Sequence, residues 1–139
     1  FNTTATEVIS NDGNATAPVT DGRQVYAGHF EVTDTETTLY ALDPTKGEER
    51  WSKTVPGLVG SLSAHDGTLY VSATEAAYHD GDTVFRGGPT TLYAFDASED
   101  EQWRFKRTSE GFSQAVVADD VVYVGGRNDD GRLYALTPT

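Results

Sequence analysis

Short runs of alternating apolar and polar residues fill the chain from Ala17 to Leu136. Alternation sends successive side chains to opposite faces of a pleated strand, so each run predicts a half-buried β-strand. No segment holds apolar residues at helical spacing, and helix content near nil is expected. Three stretches share one form: "PVTDGRQVYAG" at 18–28, "SLSAHDGTLYVS" at 61–72 and "QAVVADDVVYVG" at 114–125. Each has an apolar-rich strand, a turn (Asp21-Gly22, Asp66-Gly67, Asp119-Asp120) and a second strand carrying Tyr26, Tyr70 or Tyr123. Asp-Gly between two such runs signals a hairpin, because glycine accepts the positive φ of the turn.

A third strand follows each hairpin and opens on Leu-Tyr-Ala, at Leu39, Leu92 and Leu133. In two copies a turn and a fourth strand come next, as "LYALDPTKGEERW" (39–51) and "LYAFDASEDEQW" (92–103). The unit is therefore four strands, A to D; in the first copy these fall near 16–20, 24–31, 37–42 and 49–54. Tyr26, Tyr70 and Tyr123 are 44 and 53 residues apart. Four strands recurring every ~40–45 residues mark the blade of a β-propeller. A β-sandwich also uses short strands, but it does not need one tripeptide at the same place in every unit. The expected fold is all-β: a partial propeller of about three four-stranded antiparallel blades, in one domain over 1–139. Blade 1 spans about 16–55, blade 2 about 60–107 and an incomplete blade 3 about 112–139. The B–C connection of the second unit, 75–89, is swollen and reads as a long loop.

The C–D hairpin resembles the signature of the pyrroloquinoline-quinone (PQQ) type repeat, A-x-D-x-x-T-G-x-x-x-W. Ala41, Asp43, Gly47 and Trp51 match it, with Lys46 at the threonine position. Ala94, Asp96 and Trp103 match in the second copy, whose turn is one residue shorter and lacks the glycine. Ala135 alone remains in the third, with Thr137 at the aspartate position. The resemblance implies that each tryptophan docks between adjacent blades. It also implies three settings: non-catalytic scaffolds of the outer membrane and of haloarchaeal cell surfaces, PQQ-dependent quinoprotein dehydrogenases holding the quinone with Ca²⁺, and sensor propellers of kinase-like signalling proteins.

Charge and chemistry narrow these settings. The chain carries 22 acidic against 10 basic residues, a net charge of -12. Such a surface repels nucleic acid, whose non-specific binding draws on clustered Lys and Arg. It also suits a halophilic source, since high net charge keeps a protein hydrated in brine. Cysteine is absent, which removes disulfides and thiolate ligands; so is methionine, as expected of a processed chain or a segment of a longer one. No apolar run is long enough to cross a bilayer as a helix.

The carboxylates of "YHDGDT" (78–83) and "NDDG" (128–131) read as turn chemistry, and neither has the ligand spacing of a calcium loop. The three histidines, His29, His65 and His79, fall in separate segments, so no zinc site is expected. No catalytic, cofactor or metal residue is assigned. The expected role is a non-catalytic interaction scaffold, exported or at the cell surface, without a cofactor; a dehydrogenase segment binding PQQ and Ca²⁺ is the alternative. Tyr78, Phe85 and Arg86, in the swollen connection, are the candidate partner contacts. The amino-terminal segment 1–9 reads as a strand that completes a last blade. Three blades fall short of the usual ~4–8, so self-association is expected, most simply as a homodimer.

Overall fold

The structure, a computed structural model, describes residues 13–31, 35–80, 83–107, 111–126 and 131–137, with side chains at all of these except 76–80 and 83–88. The 1–9 segment therefore lies outside the described residues. Every regular element among those described is a β-strand. The first sheet contains β1 (Asn14–Ala15), β2 (Val19–Thr20), β3 (Val25–Phe30), β4 (Glu36–Leu42) and β5 (Glu49–Pro56). The second contains β6 (Leu58–His65), β7 (Thr68–Asp80), β8 (Thr83–Asp96) and β9 (Glu101–Arg107). The third contains β10 (Val116–Ala118), β11 (Val121–Gly125) and β12 (Leu133–Leu136). All pairings are antiparallel and, β1 apart, join neighbours in the chain. Consecutive antiparallel sheets of this kind are the blades of a partial propeller.

The innermost strand of the first sheet arrives in two pieces, β1 and β2, both pairing with β3. Pro18, which has no N–H to give a ladder, stands in the break. Thr16 bridges it: its N–H donates to Gly28 O, and its hydroxyl accepts from Gly28 N–H, both at 2.8 Å. Ser113 repeats the device in the third sheet, donating to Gly125 O and accepting from Gly125 N–H at the same 2.8 Å.

The three A–B turns differ. Asp66-Gly67 and Asp119-Asp120 are two-residue turns with all four φ angles positive, the geometry that matches strand twist. The first sheet uses a four-residue loop instead, because Arg23-Gln24 is inserted before Val25. There Asp21 Oδ1 accepts from the N–H groups of Arg23 (2.9 Å) and Gln24 (3.2 Å).

The C–D turns are alike despite their unequal lengths. Asp43 Oδ1 accepts from Thr45 N–H and Asp96 Oδ1 from Ser98 N–H, each at 2.8 Å. A bulge follows Ala41 in one sheet and Ala94 in the other. Gly47 supplies positive φ (74°) in the first turn; in the second, Glu99 occupies that region at 69°. A Cβ is costly there, so the missing glycine of the second copy is a backbone conformation held under strain.

The connection at 75–89 is a correction. It is not a loop: β7 and β8 pair onward past the sheet, with Ala76 opposite Arg86, Tyr78 opposite Phe85, and Asp80 opposite Thr83. Strand-favouring residues on both sides (Thr74 and Tyr78; Thr83, Val84 and Phe85) extend the ladder, with irregularities between Thr74 and Tyr78. The pairing of β7 with β6 ends at Thr74 and that of β8 with β9 at Thr90, so beyond those residues β7 and β8 pair only with each other among the described residues.

Two cores hold the sheets together. The first joins Tyr26, Leu39, Ala41 and Val55 to Val59, Leu62, Leu69, Val71, Ala73, Tyr93 and Phe95. The second joins Tyr70, Leu92 and Ala94 to Phe112, Ala115, Val122 and Val124. Alternate residues of β7 and β8 thus enter opposite cores, which explains why 69–74 are buried throughout. The crossover between the first two sheets is pinned by Thr37, fully buried, whose hydroxyl donates to Gly57 O (3.0 Å) and accepts from Val59 N–H (3.1 Å).

Candidate functional site

The repeated tripeptide acquires its meaning in the cross-strand register. Tyr26, Ala41 and Trp51 lie side by side on β3, β4 and β5, and Tyr70, Ala94 and Trp103 on β7, β8 and β9. Alanine between two aromatics leaves their rings free to lean together over its methyl group. The Tyr26–Trp51 centroids are 6.1 Å apart and the Tyr70–Trp103 centroids 6.0 Å, both tilted. These separations fall in the favourable range for aromatic pairs. In the third sheet Tyr123 stands beside Ala135 in the same register.

Each row faces the next sheet. Trp51 packs against the first core, and its indole N–H donates to Ala97 O at 2.9 Å, in the C–D turn of the second sheet. Trp103 packs against the second core beside Phe112 and Val124.

Around the first row is a polar seam whose members do not recur in every copy. Ala97 O also accepts from Gln24 Nε2 (3.1 Å), which reaches Tyr26 Oη at 2.9 Å, while Arg50 Nη1 donates to Gln24 Oε1 at 3.1 Å. Asp21 Oδ2 accepts from Gly67 N–H at 2.8 Å, and Arg23 meets Asp66 at 3.2 Å. Partial burial works to raise the Asp21 pKa, but the amides of Arg23, Gln24 and Gly67 outweigh it and hold the carboxyl below its usual range. Burial also pushes the Tyr26 and Tyr70 hydroxyls up from their ordinary value.

Around the second row the seam is aromatic. Phe105, Phe112 and Tyr134 form a closed triangle of ring contacts at 5.1–6.0 Å, and the Arg107 guanidinium lies 4.1 Å from the Phe105 centroid. Gln114 Nε2 adds a bond to Leu62 O at 2.8 Å.

A cavity of about 370 Å³ opens between the innermost strands of the first two sheets, walled by Thr16, Val19, Val59, Ser61 and Leu62 and reached by Gln114. Its polar groups are hydroxyls and an amide, which can hydrogen-bond but cannot move a proton at neutral pH. Among the described residues no three His, Asp or Glu side chains gather closely enough to hold a metal ion. Trp51 and Trp103 are each partly buried against a core shared with the next sheet.

The residues singled out in the sequence thus separate into two sets. Ala41, Asp43, Gly47 and Trp51 form one C–D unit, Ala94, Asp96 and Trp103 the next, and Ala135 the start of a third. Tyr78, Phe85 and Arg86 sit away from both seams, on the paired extension of β7 and β8. Sequence reasoning missed Gln24, Asp21's second bond and the Phe105–Phe112–Tyr134 triangle. Only the aromatic triangle left a trace, as an excess of rings in 103–112.

Sheets that repeat a Tyr–Ala–Trp row and dock it on their neighbours define a propeller repeat protein. The chain belongs to the family described as outer membrane protein assembly factor BamB, a family of PQQ-like repeats whose profile matches residues 3–139. A search of curated proteins finds no match. The crystal structure of the computationally designed Ika4 protein is similar, with a TM-score of 0.57 and 14% identity over 98% of this chain and 100% of that one. At that identity the likeness is one of fold.

Proposed function

We propose that this chain is a non-catalytic propeller scaffold that binds protein partners, other copies of itself included, outside the cytoplasm and without a cofactor. The paired extension of β7 and β8 carries the reading. A two-stranded ribbon alone is marginally stable and leaves both outer edges free for another strand. Its residues Tyr78, Phe85 and Arg86 are of the types that anchor interfaces. The family's description as an assembly factor of the outer membrane favours an exported setting, and the charge of -12 suits a saline one. No helix among the described residues is long and apolar enough to cross a membrane.

Two measurements test this reading. Replacing residues 76–88 by an Asn-Gly turn is expected to leave the melting temperature unchanged and to abolish cross-linking to partner proteins at the cell envelope. Unchanged cross-linking would remove the ribbon from the proposal. Titration with pyrroloquinoline quinone and Ca²⁺ is expected to change neither the quinone's visible band nor the melting temperature; saturable stabilisation would overturn the non-catalytic reading.

A further inference from the structure

We infer that the outer edge of β9 is a docking site for an extended acidic strand of a partner protein. The site is separate from the ribbon of β7 and β8, and its failure would leave the ribbon and quinone tests standing.

β9 closes the second sheet on its outer side and pairs with β8 alone among the described residues. One row of its backbone N–H and C=O groups therefore faces outward unpaired, the feature on which a further strand builds. From Trp103 to Arg107 the pairing with β8 runs without a bulge, and no proline interrupts it. The outer edge of the first sheet is less suited, since β5 ends on Pro56, which has no N–H to offer.

The side chains select what can add. Residues 104–107 hold three of the chain's ten basic residues, in a chain of net charge -12. The equivalent positions of β5, counted from Trp51 as these are from Trp103, hold Ser52, Lys53, Thr54 and Val55. The repeat itself thus does not call for three cations there. Arg104, Lys106 and Arg107 are exposed, and Trp103 and Phe105 only half-buried. Arg104 meets Glu101 at 2.7 Å and Lys106 meets Glu75 at 3.2 Å. Surface pairs of this kind are weak, so an incoming carboxylate can share either cation. Arg107 has no carboxylate partner among the described residues; its guanidinium rests on the Phe105 ring.

Alternation places Arg104 and Lys106 on one face of β9 and Trp103, Phe105 and Arg107 on the other. A strand added at the edge sets its side chains about 4.5–5.5 Å from these on both faces. Its complement is therefore an alternating sequence, acidic opposite Arg104 and Lys106 and apolar opposite Trp103 and Phe105. Like charges directly opposite destabilise a pair, which disfavours a second copy of β9 as the occupant. Cations on an edge are a guard against self-pairing; charge of one sign keeps that guard and still admits acid. Backbone bonds supply the affinity, and charge picks the partner.

The test uses the full chain at low ionic strength with two synthetic probes, a peptide alternating glutamate with valine and one alternating lysine with valine. The acidic probe is expected to bind saturably, to slow amide hydrogen exchange within 103–107, and to weaken as salt is added. Lys106→Glu with Arg107→Glu should weaken the acidic probe roughly tenfold or more and transfer the preference to the lysine peptide. Lys106→Gln with Arg107→Gln is the milder pair, expected to lose the preference without reversing it, and melting curves of both pairs establish that the fold is kept. The inference fails if the native chain binds neither probe or both equally. It fails equally if the protected amides lie outside β9, or if the reversed pair still prefers the acidic peptide.

Discussion

The two seams of this molecule share one row and differ in everything around it. Between the first and second sheets the Tyr26–Ala41–Trp51 row is surrounded by hydrogen bonds to Ala97, Gln24, Asp21 and Gly67. Between the second and third, the Tyr70–Ala94–Trp103 row is surrounded by the rings of Phe105, Phe112 and Tyr134. The row therefore supplies a general adhesion that any copy can offer any other. The surroundings tell the seams apart, since directional bonds tolerate fewer partners than ring contacts do.

The largest effects are expected where the rings are buried. Phe112→Ala should destabilise the chain by about 3–5 kcal/mol, and Trp51→Ala and Trp103→Ala toward the lower end of that range because the indoles are only half-buried, as read from urea unfolding. Similar losses for Trp51 and Trp103, despite the indole hydrogen bond of Trp51 alone, would support the row as the shared element. A loss at Trp51 several-fold larger would place the adhesion in the polar seam instead.

Leu92→Ala and Leu133→Ala provide a sharper contrast, since the same residue is buried in one copy and open in the next. The first should cost about 2–5 kcal/mol and the second no more than about 0.5, as read from urea unfolding.

Acid should distinguish the seams. The Asp21 carboxyl is held below its usual range, so the stability it contributes is present above the unfolded value and lost as pH falls through the folded one. Below about pH 4 the urea midpoint should therefore fall more steeply for the native chain than for Asp21→Asn. Equal slopes would show that the Asp21–Gly67 bond contributes nothing to the first seam.

The smallest effect concerns the second C–D turn. Glu99→Gly should raise stability by up to about 1 kcal/mol by relieving the positive φ that Gly47 meets without strain. A loss on thermal melting would mean that the Glu99 side chain has a compensating role.

Much of this was legible in the sequence because the propeller writes its rules at fixed intervals. Alternation gave the strands, Asp-Gly the hairpins, and Leu-Tyr-Ala the unit and its register. The exceptions have physical reasons. The inserted Arg23-Gln24 is hidden behind an Asp-Gly pair that looks the same in two sheets but turns differently in the first. The extension of β7 and β8 reads as a loop because Gly81 and the Gly87-Gly88-Pro89 run are breakers. β8 continues through 87–89 regardless, and its pairing with β7 resumes at Arg86. The polar seam was not legible at all: Gln24 and Ala97 are 73 residues apart and belong to no repeated pattern. The motif residues needed only their own hairpin to be found, whereas the seams need two.

The alanine at the centre of each row has one more consequence. Tyrosine, alanine and tryptophan all come from a single sheet, so a duplicated stretch of gene encodes a new module together with the adhesive patch that fastens it. Lengthening such an array requires no matched invention in an older copy. Divergence is then free to act on the borders, where this chain became hydrogen-bonded on one side and aromatic on the other.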